Sequence, residues 1–296
     1  MAHHSAVRSM QRIVEQSAEA HDPDQARAGV QQLLDTGKVL VLTGAGVSTD
    51  SGIPDYRGPN GSLQRHRPMT YQEFRYRPDA RQRYWARSYV GWRHMFRAEP
   101  NNIHRRLVDW EEHGKISGII TQNVDGLHQQ AGSRRVIPVH GDLSVVSCLE
   151  CGFHEDRESL DARLQAANPG YLEQVELDPR AVNPDGDVEL PNELVHQFVM
   201  VGCLRCGSIA LKPDVVYFGE SVPAERKQQI AQLEEESNAL LVMGSSLAVM
   251  SGYRVLLNFV QRDLPVALVT NGHVRGEEKA TWRWRVPLGR ALSQLS

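Results

Sequence analysis

The stretch that decides the fold is Val39-Leu-Val-Leu-Thr-Gly-Ala-Gly-Val-Ser-Thr-Asp-Ser-Gly-Ile-Pro-Asp-Tyr-Arg-Gly58. Its first four residues are apolar without alternation, a pattern that predicts a strand buried on both faces. Gly44, Ala45 and Gly46 therefore fall where the strand ends. Because glycine has no Cβ, backbone N–H groups can approach a phosphate at such a turn, and the positive end of a following helix favours the anion. These residues predict a cofactor that contains a diphosphate.

The glycine pattern by itself is incomplete, because the third glycine of the usual dinucleotide fingerprint is replaced by Thr49. The residues beyond the turn add information. Ser48, Ser51, Asp55 and Arg57 crowd polar side chains into a loop longer than the usual two to about six residues of a strand-to-helix connection. A long, charged loop after a phosphate turn is typical of an active site.

Length and composition set broad limits. The chain has 296 residues, 41% hydrophobic content and a net charge of −3, so it can bury one large core or two modest ones and has no general attraction to nucleic acid. No apolar run reaches the roughly 18 residues of a membrane helix. We therefore expect a cytoplasmic protein without a membrane partner. We also expect it to be a monomer. A mitochondrial matrix location is disfavoured because a transit peptide should avoid acids such as Glu15 and Asp22.

Short apolar runs recur along the chain and alternate with helical patterns. The helical patterns include Ile103 to Trp110 and Ala224 to Ser237. The alternation predicts an α/β fold with a Rossmann-like, doubly wound parallel sheet. Each run precedes a polar cluster, so one site at the carboxyl ends of the strands is expected. The predicted strands are Val39–Leu42, Ile116–Ile120, Val136–Val139, Val215–Phe218, Ala239–Met243 and Val266–Val269.

Two stretches interrupt this alternation and suggest a second, smaller domain. Residues 61–100 are rich in arginine and aromatic residues, and residues 143–211 contain all four cysteines. We predict a helical extension at 1–37 and a small helical and zinc-ribbon domain formed by 61–100 and 143–211. The Rossmann-like domain is then built from residues 38–60, 101–142 and 212–296.

The cysteines form two matched pairs, Cys148-x-x-Cys151 and Cys203-x-x-Cys206. A glycine follows each pair, which suits a tight turn that points two thiolates at one metal. The pattern predicts one tetrahedral Zn²⁺ ion with a structural role, since four cysteines leave no open position. The alternatives are two disulfides or a redox dithiol. An intracellular context argues against disulfides, and redox motifs do not normally come as matched pairs.

Taken in order, the motifs of this chain resemble the sirtuins, the silent-information-regulator family of NAD-dependent protein deacylases. The resemblance spans about residues 38 to 290, and within the family it is strongest to class II and its sirtuin-four branch. The motifs that carry it, besides the paired cysteines, are Gly44 to Arg57, Thr121-Gln-Asn-Val-Asp-Gly-Leu-His128, His140-Gly141, Lys212-Pro-Asp-Val-Val-Tyr-Phe-Gly-Glu220, Gly244-Ser-Ser-Leu247, Arg81 to Arg87, Ala131 to Arg135 and Pro184 to Val188.

The resemblance implies a binding site for NAD. The diphosphate end, the loop over nicotinamide, the nicotinamide ribose and carboxamide, and the adenosine end would each have their own residues. The diphosphate would contact Gly44, Ala45, Gly46 and Ser48, and the loop over nicotinamide would contain Asp55, Tyr56 and Arg57. The nicotinamide ribose and carboxamide would contact Gln122, Asn123 and Asp125. The adenosine end would contact Gly244, Ser245, Ser246, Thr270, Asn271, Gly272 and Leu288. Thr270 departs from the asparagine that family members often carry.

The resemblance also implies a reaction, the transfer of an acyl group from lysine to ADP-ribose with release of nicotinamide. His140 would act as general base toward a ribose hydroxyl, a role that suits imidazole because its pKa lies near neutral pH. Asn123 would be the second catalytic residue. An acyl-lysine peptide would pair with an edge formed by Val215, Tyr217, Phe218, Gly219 and Glu220.

Tyr84 and Arg87 support a hypothesis about the acyl group. Three residues apart on a predicted helix, they share a face and match the Tyr-x-x-Arg pair by which some class II sirtuins recognise acyl groups ending in a carboxylate. We therefore expect a preference for succinyl-, glutaryl- or related acyl-lysine. The alternative is a solvated helix face, since arginines and aromatic residues are frequent between Arg75 and Arg97.

Three other functions stay open at this point. A mono-ADP-ribosyltransferase would use the same NAD site with a protein side chain as the nucleophile. A zinc-ribbon nucleic-acid-binding protein regulated by NAD is disfavoured by the acidic balance. A dehydrogenase is disfavoured by the broken glycine spacing.

Overall fold

The computed structural model describes residues 18–55, 69–176 and 182–296. The predicted extension at 1–37 therefore lies only partly among these residues, and its described part contains the helix α1 (Pro23–Thr36). Asp22 caps this helix by accepting hydrogen bonds from the backbone of Asp24 and Gln25, and Pro23 occupies its first turn.

A six-stranded sheet, parallel throughout, confirms the predicted fold class. In the order in which they lie in the sheet, its strands are β3 (Val136–Pro138), β2 (Ile116–Thr121), β1 (Val39–Thr43), β7 (Ala239–Met243), β8 (Val266–Thr270) and β9 (Trp282–Arg285). The chain fills one half of the sheet outward from β1 and then returns to β7 to fill the other half, so the switch point lies between β1 and β7.

Helices cover both faces of this sheet, and alternate residues of each strand supply the two cores. Val39 and Val41 pack with α1, with α4 (Asn102–Glu112) and with α10 (Leu288–Leu292). Leu40 and Leu42 pack on the other face against α8 (Ala224–Glu235) and α9 (Met250–Gln261). Since neither face meets water, the strands carry the continuous apolar runs that the sequence shows. The short helix α5 (Leu127–Ala131) follows β2.

A second core forms around a three-stranded antiparallel sheet, in which β4 (Gly141–Cys148) lies between β5 (His154–Asp156) and β6 (Leu211–Val215). Several large aromatic residues contribute to it, and the buried Trp85 donates its indole N–H to the carbonyl of Leu211 at 2.9 Å. The helices around this sheet are α2 (Tyr71–Tyr76), α3 (Pro78–Phe96), α6 (Arg157–Ala167) and α7 (Asn192–Gln197). The division into domains at the predicted boundaries stays a prediction.

The predicted strand Val215–Phe218 is wrong. The strand is Leu211–Val215, and it pairs with β4 in the small sheet instead of joining the parallel sheet. This strand is difficult to recognise in the sequence because it contains the charged Lys212 and Pro213. An edge strand tolerates proline because only one of its sides is paired. The strand β9, which alternates tryptophan and arginine, was also not predicted.

The segment after β1 also differs from the expectation. In place of an α-helix, two short 3₁₀ helices, Ala45–Val47 and Thr49–Ser51, follow the strand. The left-handed Gly52, with φ +83°, ends the second one. An anion here would therefore meet a compact loop instead of the positive end of a long helix.

Candidate active site

The crevice at the switch point is lined by the turns that follow β1 and β7. These turns are in direct contact: Gly46 N–H donates to the carbonyl of Gly244 at 3.0 Å, and Gly44 N–H donates to Met243 at 3.2 Å. A Cβ on Gly44 would lie 2.8 Å from the Cβ of Ser245, and one on Gly46 would lie 2.9 Å from the Cα of Gly244. The glycines at 44 and 46 are thus required for close packing of the two turns, a reason that the sequence pattern did not reveal. Ala45, between them, begins the first 3₁₀ helix.

The C-terminal end of β2 contributes Gln122 and Asn123, which connect neighbouring strand ends. The Gln122 side-chain amide donates to Ser245 Oγ at 2.6 Å and to the carbonyl of Thr43 at 3.3 Å. Asn123 Nδ2 donates to Ser48 Oγ at 3.0 Å. Polar side chains predicted from three separate motifs therefore lie together at one edge of the sheet.

Asp125 has two roles in this network. One carboxylate oxygen accepts a hydrogen bond from Ser48 Oγ at 2.7 Å, and the other accepts the N–H of Leu127, the first residue of α5, at 3.0 Å. Burial raises the pKa of this carboxyl, while the hydrogen bonds from Leu127 and Ser48 oppose the rise. Asp125 thus contacts the first residue of α5 from the position before the N-cap Gly126, and it also faces the crevice through its partner Ser48.

His140 lies on the turn between β3 and β4, with its ring at the same edge. Its Nδ1 is 2.9 Å from the carbonyl oxygen of Gln122, and its Nε2 is 2.6 Å from Ser251 Oγ. A carbonyl oxygen can only accept, so Nδ1 carries the proton and Nε2 of the neutral ring is an acceptor. This is the tautomer that a general base requires. The backbone carbonyl of His140 accepts the N–H of Val216 at 2.8 Å, which joins the base to the segment after β6.

The predicted adenosine-binding residues gather beyond β7 and β8. Leu288, at the start of α10, approaches Gly244 so closely that a Cβ on the glycine would lie 2.9 Å from Leu288 Cδ1. The carbonyl of Ser246 accepts the N–H of Arg275 at 2.9 Å, which links the two loops. Thr270 Oγ1 accepts the N–H of Gly272 at 3.4 Å, and Asn271 and Gly272 are exposed.

The predicted peptide-binding edge, Val215 to Glu220, is a strand end followed by a turn. Tyr217 packs among the aromatic residues of the small core, and Phe218 forms an isolated bridge to Thr70. Gly219 is left-handed with φ +82°, and Glu220 closes the turn by accepting the N–H of Tyr217 at 2.9 Å. The buried Lys212 donates to the carbonyl of Val215 at 2.6 Å and contacts Glu220 at 3.2 Å, which fixes the shape of this segment.

Tyr84 and Arg87 share a face of α3, as predicted. Tyr84 is 5% exposed and contacts the ring of Tyr217 at a centroid distance of 5.8 Å, and burial raises its pKa. Arg87 is paired with two carboxylates of a neighbouring loop, Asp187 at 2.8 Å and Glu189 at 2.7 Å. These ion pairs were not predicted, because the partners lie about a hundred positions away in the sequence.

The four cysteines converge as a metal site requires. Their sulfur atoms all lie within 4.8 Å of one another, with Cys148 3.6 Å from Cys206 and Cys151 3.7 Å from Cys203. Sulfurs at the corners of a tetrahedron with Zn–S bonds of about 2.3 Å lie about 3.8 Å apart, whereas a disulfide needs about 2.05 Å. The geometry and the thiolate set both fit Zn²⁺.

Some predicted residues need separate mention. Tyr56 and Arg57 lie outside the described residues, and Asp55 is the last one before that gap. Sequence reasoning missed Ser251, which no local motif marks, and also Asp187 and Glu189. Asp187 lies in the motif Pro184 to Val188, and Glu189 directly follows that motif.

A membrane-spanning segment is absent from the helices that the structure describes, since each is too short or too polar.

The comparison with protein families matches residues 44–251 to the model described as Sir2 family. That match covers the crevice, His140 and all four cysteines.

Similar proteins come from bacteria and from an animal. An NAD-dependent protein deacetylase 1 of Corynebacterium efficiens is 56% identical over 91% of this chain and 96% of its own length. The NAD-dependent protein deacylase Sirt4 of Drosophila melanogaster is 42% identical over 89% of this chain and 84% of its own. Among solved structures, a Sir2 complex with a deacetylated peptide and 3′-O-acetyl ADP-ribose superimposes with a TM-score of 0.71. It is 27% identical and covers 90% of this chain and 96% of the other.

Proposed function

The chain belongs to the Sir2 family, and from that premise we propose that it is an NAD-dependent protein lysine deacylase. In this reaction the acyl group passes from lysine to ADP-ribose and nicotinamide is released. The observation that supports it most directly is the imidazole of His140, held by the Gln122 carbonyl as the tautomer that can accept a proton at Nε2.

The residues of the crevice fit the dinucleotide that this reaction consumes. Gly44, Gly46 and Gly244 allow the two turns to pack closely at the strand ends. Ser48, Asn123 and Asp125 supply donors and acceptors that suit ribose hydroxyls and a carboxamide. Bound NAD would supply a ribose carbon from which nicotinamide can leave. The protein's own task would then be to orient that ribose and to accept a proton from one of its hydroxyls at His140.

The cysteine cluster would hold one Zn²⁺ ion with a structural role. All four thiolates are used, so no position is left for substrate. The ion would connect Cys148 and Cys151 to Cys203 and Cys206, at the two ends of the segment 148–206. It would therefore stabilise the region around the small antiparallel sheet, next to the predicted peptide edge.

The acyl-lysine side chain would enter between the turn at Tyr217–Glu220 and the crevice. A preference for acidic acyl groups stays a prediction. It requires that an acyl carboxylate can reach Arg87, which already has partners in the structure. The guanidinium, with its side chain only 14% exposed, is already paired with Asp187 and Glu189. An acyl carboxylate would have to replace one of these partners, so we propose that the competition between internal and substrate carboxylates sets the acyl preference. A monomeric state and a cytoplasmic location also stay predictions.

Mass spectrometry of the small-molecule products tests the proposed function. The protein is incubated with NAD and matched acetyl-, succinyl- and glutaryl-lysine peptides, alongside His140→Ala and the exposed-site control His113→Ala. We expect nicotinamide and O-acyl-ADP-ribose from the wild type and the control, and loss of the acylated product in His140→Ala. ADP-ribose attached to protein, without an acylated product, would instead identify a transferase.

A further inference from the structure

The base of the proposed reaction has an unpredicted partner. Ser251 is the second residue of α9, and its Oγ lies 2.6 Å from Nε2 of His140. Since Nδ1 donates to the Gln122 carbonyl, Nε2 offers its single lone pair and the serine hydroxyl must be the donor. The lone pair that a general base uses is therefore already occupied by the O–H of Ser251.

The connection from β7 to α9 holds this serine in place. At its start Ser245 Oγ accepts the side-chain amide of Gln122 at 2.6 Å and the N–H of Leu247 at 3.1 Å. At its end Ser251 contacts His140, which the Gln122 backbone orients from the other side. One connection thus contacts both ends of the pair formed by Gln122 and His140.

Two backbone features of this connection bring Ser251 close to His140. The buried Leu247 adopts φ +49°, a conformation that is unfavourable for a side chain of this size and marks a position held by its surroundings. Gly252 follows Ser251, and a Cβ there would lie 2.7 Å from Gln122 Oε1. The first turn of α9 therefore approaches the end of β2 as closely as glycine allows, which is what brings the hydroxyl of Ser251 to the imidazole.

From this geometry we propose that Ser251 is a proton-relay residue, resting on the deacylase function proposed above. The ribose hydroxyl transfers its proton to Ser251 Oγ while the proton of Ser251 moves to Nε2 of His140. One O–H bond of ribose and one of serine break, and one O–H bond of serine and one N–H bond of histidine form. The ribose oxygen becomes nucleophilic, the serine is unchanged and the imidazole becomes imidazolium.

This assignment predicts which step depends on Ser251. Nicotinamide departure precedes the proton transfer, so exchange of labelled nicotinamide into NAD should not need the relay, whereas formation of O-acyl-ADP-ribose should. General-base catalysis contributes about 10²- to 10⁴-fold, so loss of the relay with the base retained should slow acyl transfer on the order of 10- to 100-fold.

The test compares the two rates in Ser251→Ala, in Ser251→Thr and in Ser159→Ala, a control that removes a hydroxyl from the first turn of α6. We expect Ser251→Ala to lose acyl transfer with near wild-type exchange and thermal unfolding, Ser251→Thr to recover the rate, and Ser159→Ala to match wild type. The same Ser251→Ala change in a His140→Ala background should cost nothing further, because the base it serves is absent.

Three outcomes would overturn the relay. An unchanged or faster acyl transfer in Ser251→Ala would mean that ribose simply displaces the serine. An equal loss of exchange and acyl transfer, or a further loss in the His140→Ala background, would mean that Ser251 only supports the fold or NAD binding. Failure of Ser251→Thr to recover a selective loss would exclude the hydroxyl. A wild type that forms neither exchanged NAD nor acylated product would refute the deacylase function itself.

Discussion

Acid should destabilise this protein through two histidines buried under the crevice. His104 and His128 are 0% and 1% exposed, with ring centroids 4.8 Å apart. His128 Nε2 contacts Thr43 Oγ1 at 3.0 Å, at the end of β1, and His104 Nδ1 accepts the N–H of Asn101 at 3.2 Å. Burial lowers the pKa of His104 to about 4 and that of His128 to about 3, from an ordinary value of 6.5.

The size and the pH window of the effect follow from these pKa values. Above pH 6.5 both rings are neutral in the folded and the unfolded chain, so they add no pH dependence. Below pH 6.5 the histidines bind protons in the unfolded chain but stay neutral in the folded chain, so the free energy of unfolding falls until the pH reaches the folded pKa. This free energy falls by about 1.4 kcal/mol for each pH unit below the unfolded pKa, so at pH 5 each histidine should lower it by about 2 kcal/mol.

Urea unfolding at pH 7 and pH 5 measures this loss, with His128→Asn to remove one titrating ring and His196→Asn as an exposed control. The variant will be less stable than wild type at pH 7, since it disturbs a packed contact, so the informative quantity is the fall in unfolding free energy between the two pH values. We expect that fall to be about 2 kcal/mol smaller in His128→Asn than in wild type and in the control. An equal fall in all three proteins would refute the reasoning.

Three further predictions concern other parts of the molecule. Cys206→Ser should lower bound zinc, measured by elemental analysis, and reduce stability by several kcal/mol, whereas a full metal content would contradict the four-thiolate site. Gly141→Ala should destabilise by more than about 2 kcal/mol in thermal unfolding, because φ is +94° and the new Cβ would lie 1.7 Å from the carbonyl of Asp214; wild-type stability would contradict the β4–β6 geometry. Asp187→Asn should raise the ratio of succinyl to acetyl turnover several-fold and Arg87→Met should lower it, while a constant ratio in peptide assays would remove Arg87 from acyl selection.

The parts of the fold that could be predicted are those in which local pattern and tertiary position agree. The run Val39–Leu42 is buried on both faces, so its composition alone identifies a central strand. The strand at Leu211–Val215 could not be recognised, because Lys212 and Pro213 occupy a short edge strand whose pairing is visible only in three dimensions. The neighbouring Val-Val-Tyr-Phe run looks like a strand, but only its first residue, Val215, belongs to one. Tyr217 packs against the small core, and Phe218 forms an isolated bridge to Thr70.

The candidate site shows the same limit. Gln122, Asn123 and His140 follow recognisable strands, and the shared edge of a parallel sheet predicts that they meet. Ser251 approaches His140 from 111 positions away, and the carboxylates that hold Arg87 come from 100 and 102 positions away; periodicity cannot indicate such pairs. Pattern therefore predicts which side chains reach the site, while the hydrogen bonds that give each one its chemical role depend on the assembled fold.

Gln122 illustrates why these partners matter for catalysis. Its backbone carbonyl sets the tautomer of His140, its side chain joins Ser245 and Thr43, and the Gly252 beside it leaves just enough room for α9. A change at any of these contacts would move the imidazole relative to the crevice, even though none of them needs to touch substrate. The proton-accepting nitrogen of a general base must lie within hydrogen-bond distance of the reacting hydroxyl. The strand-end contacts are therefore as necessary for general-base catalysis as the imidazole ring, because they fix its position.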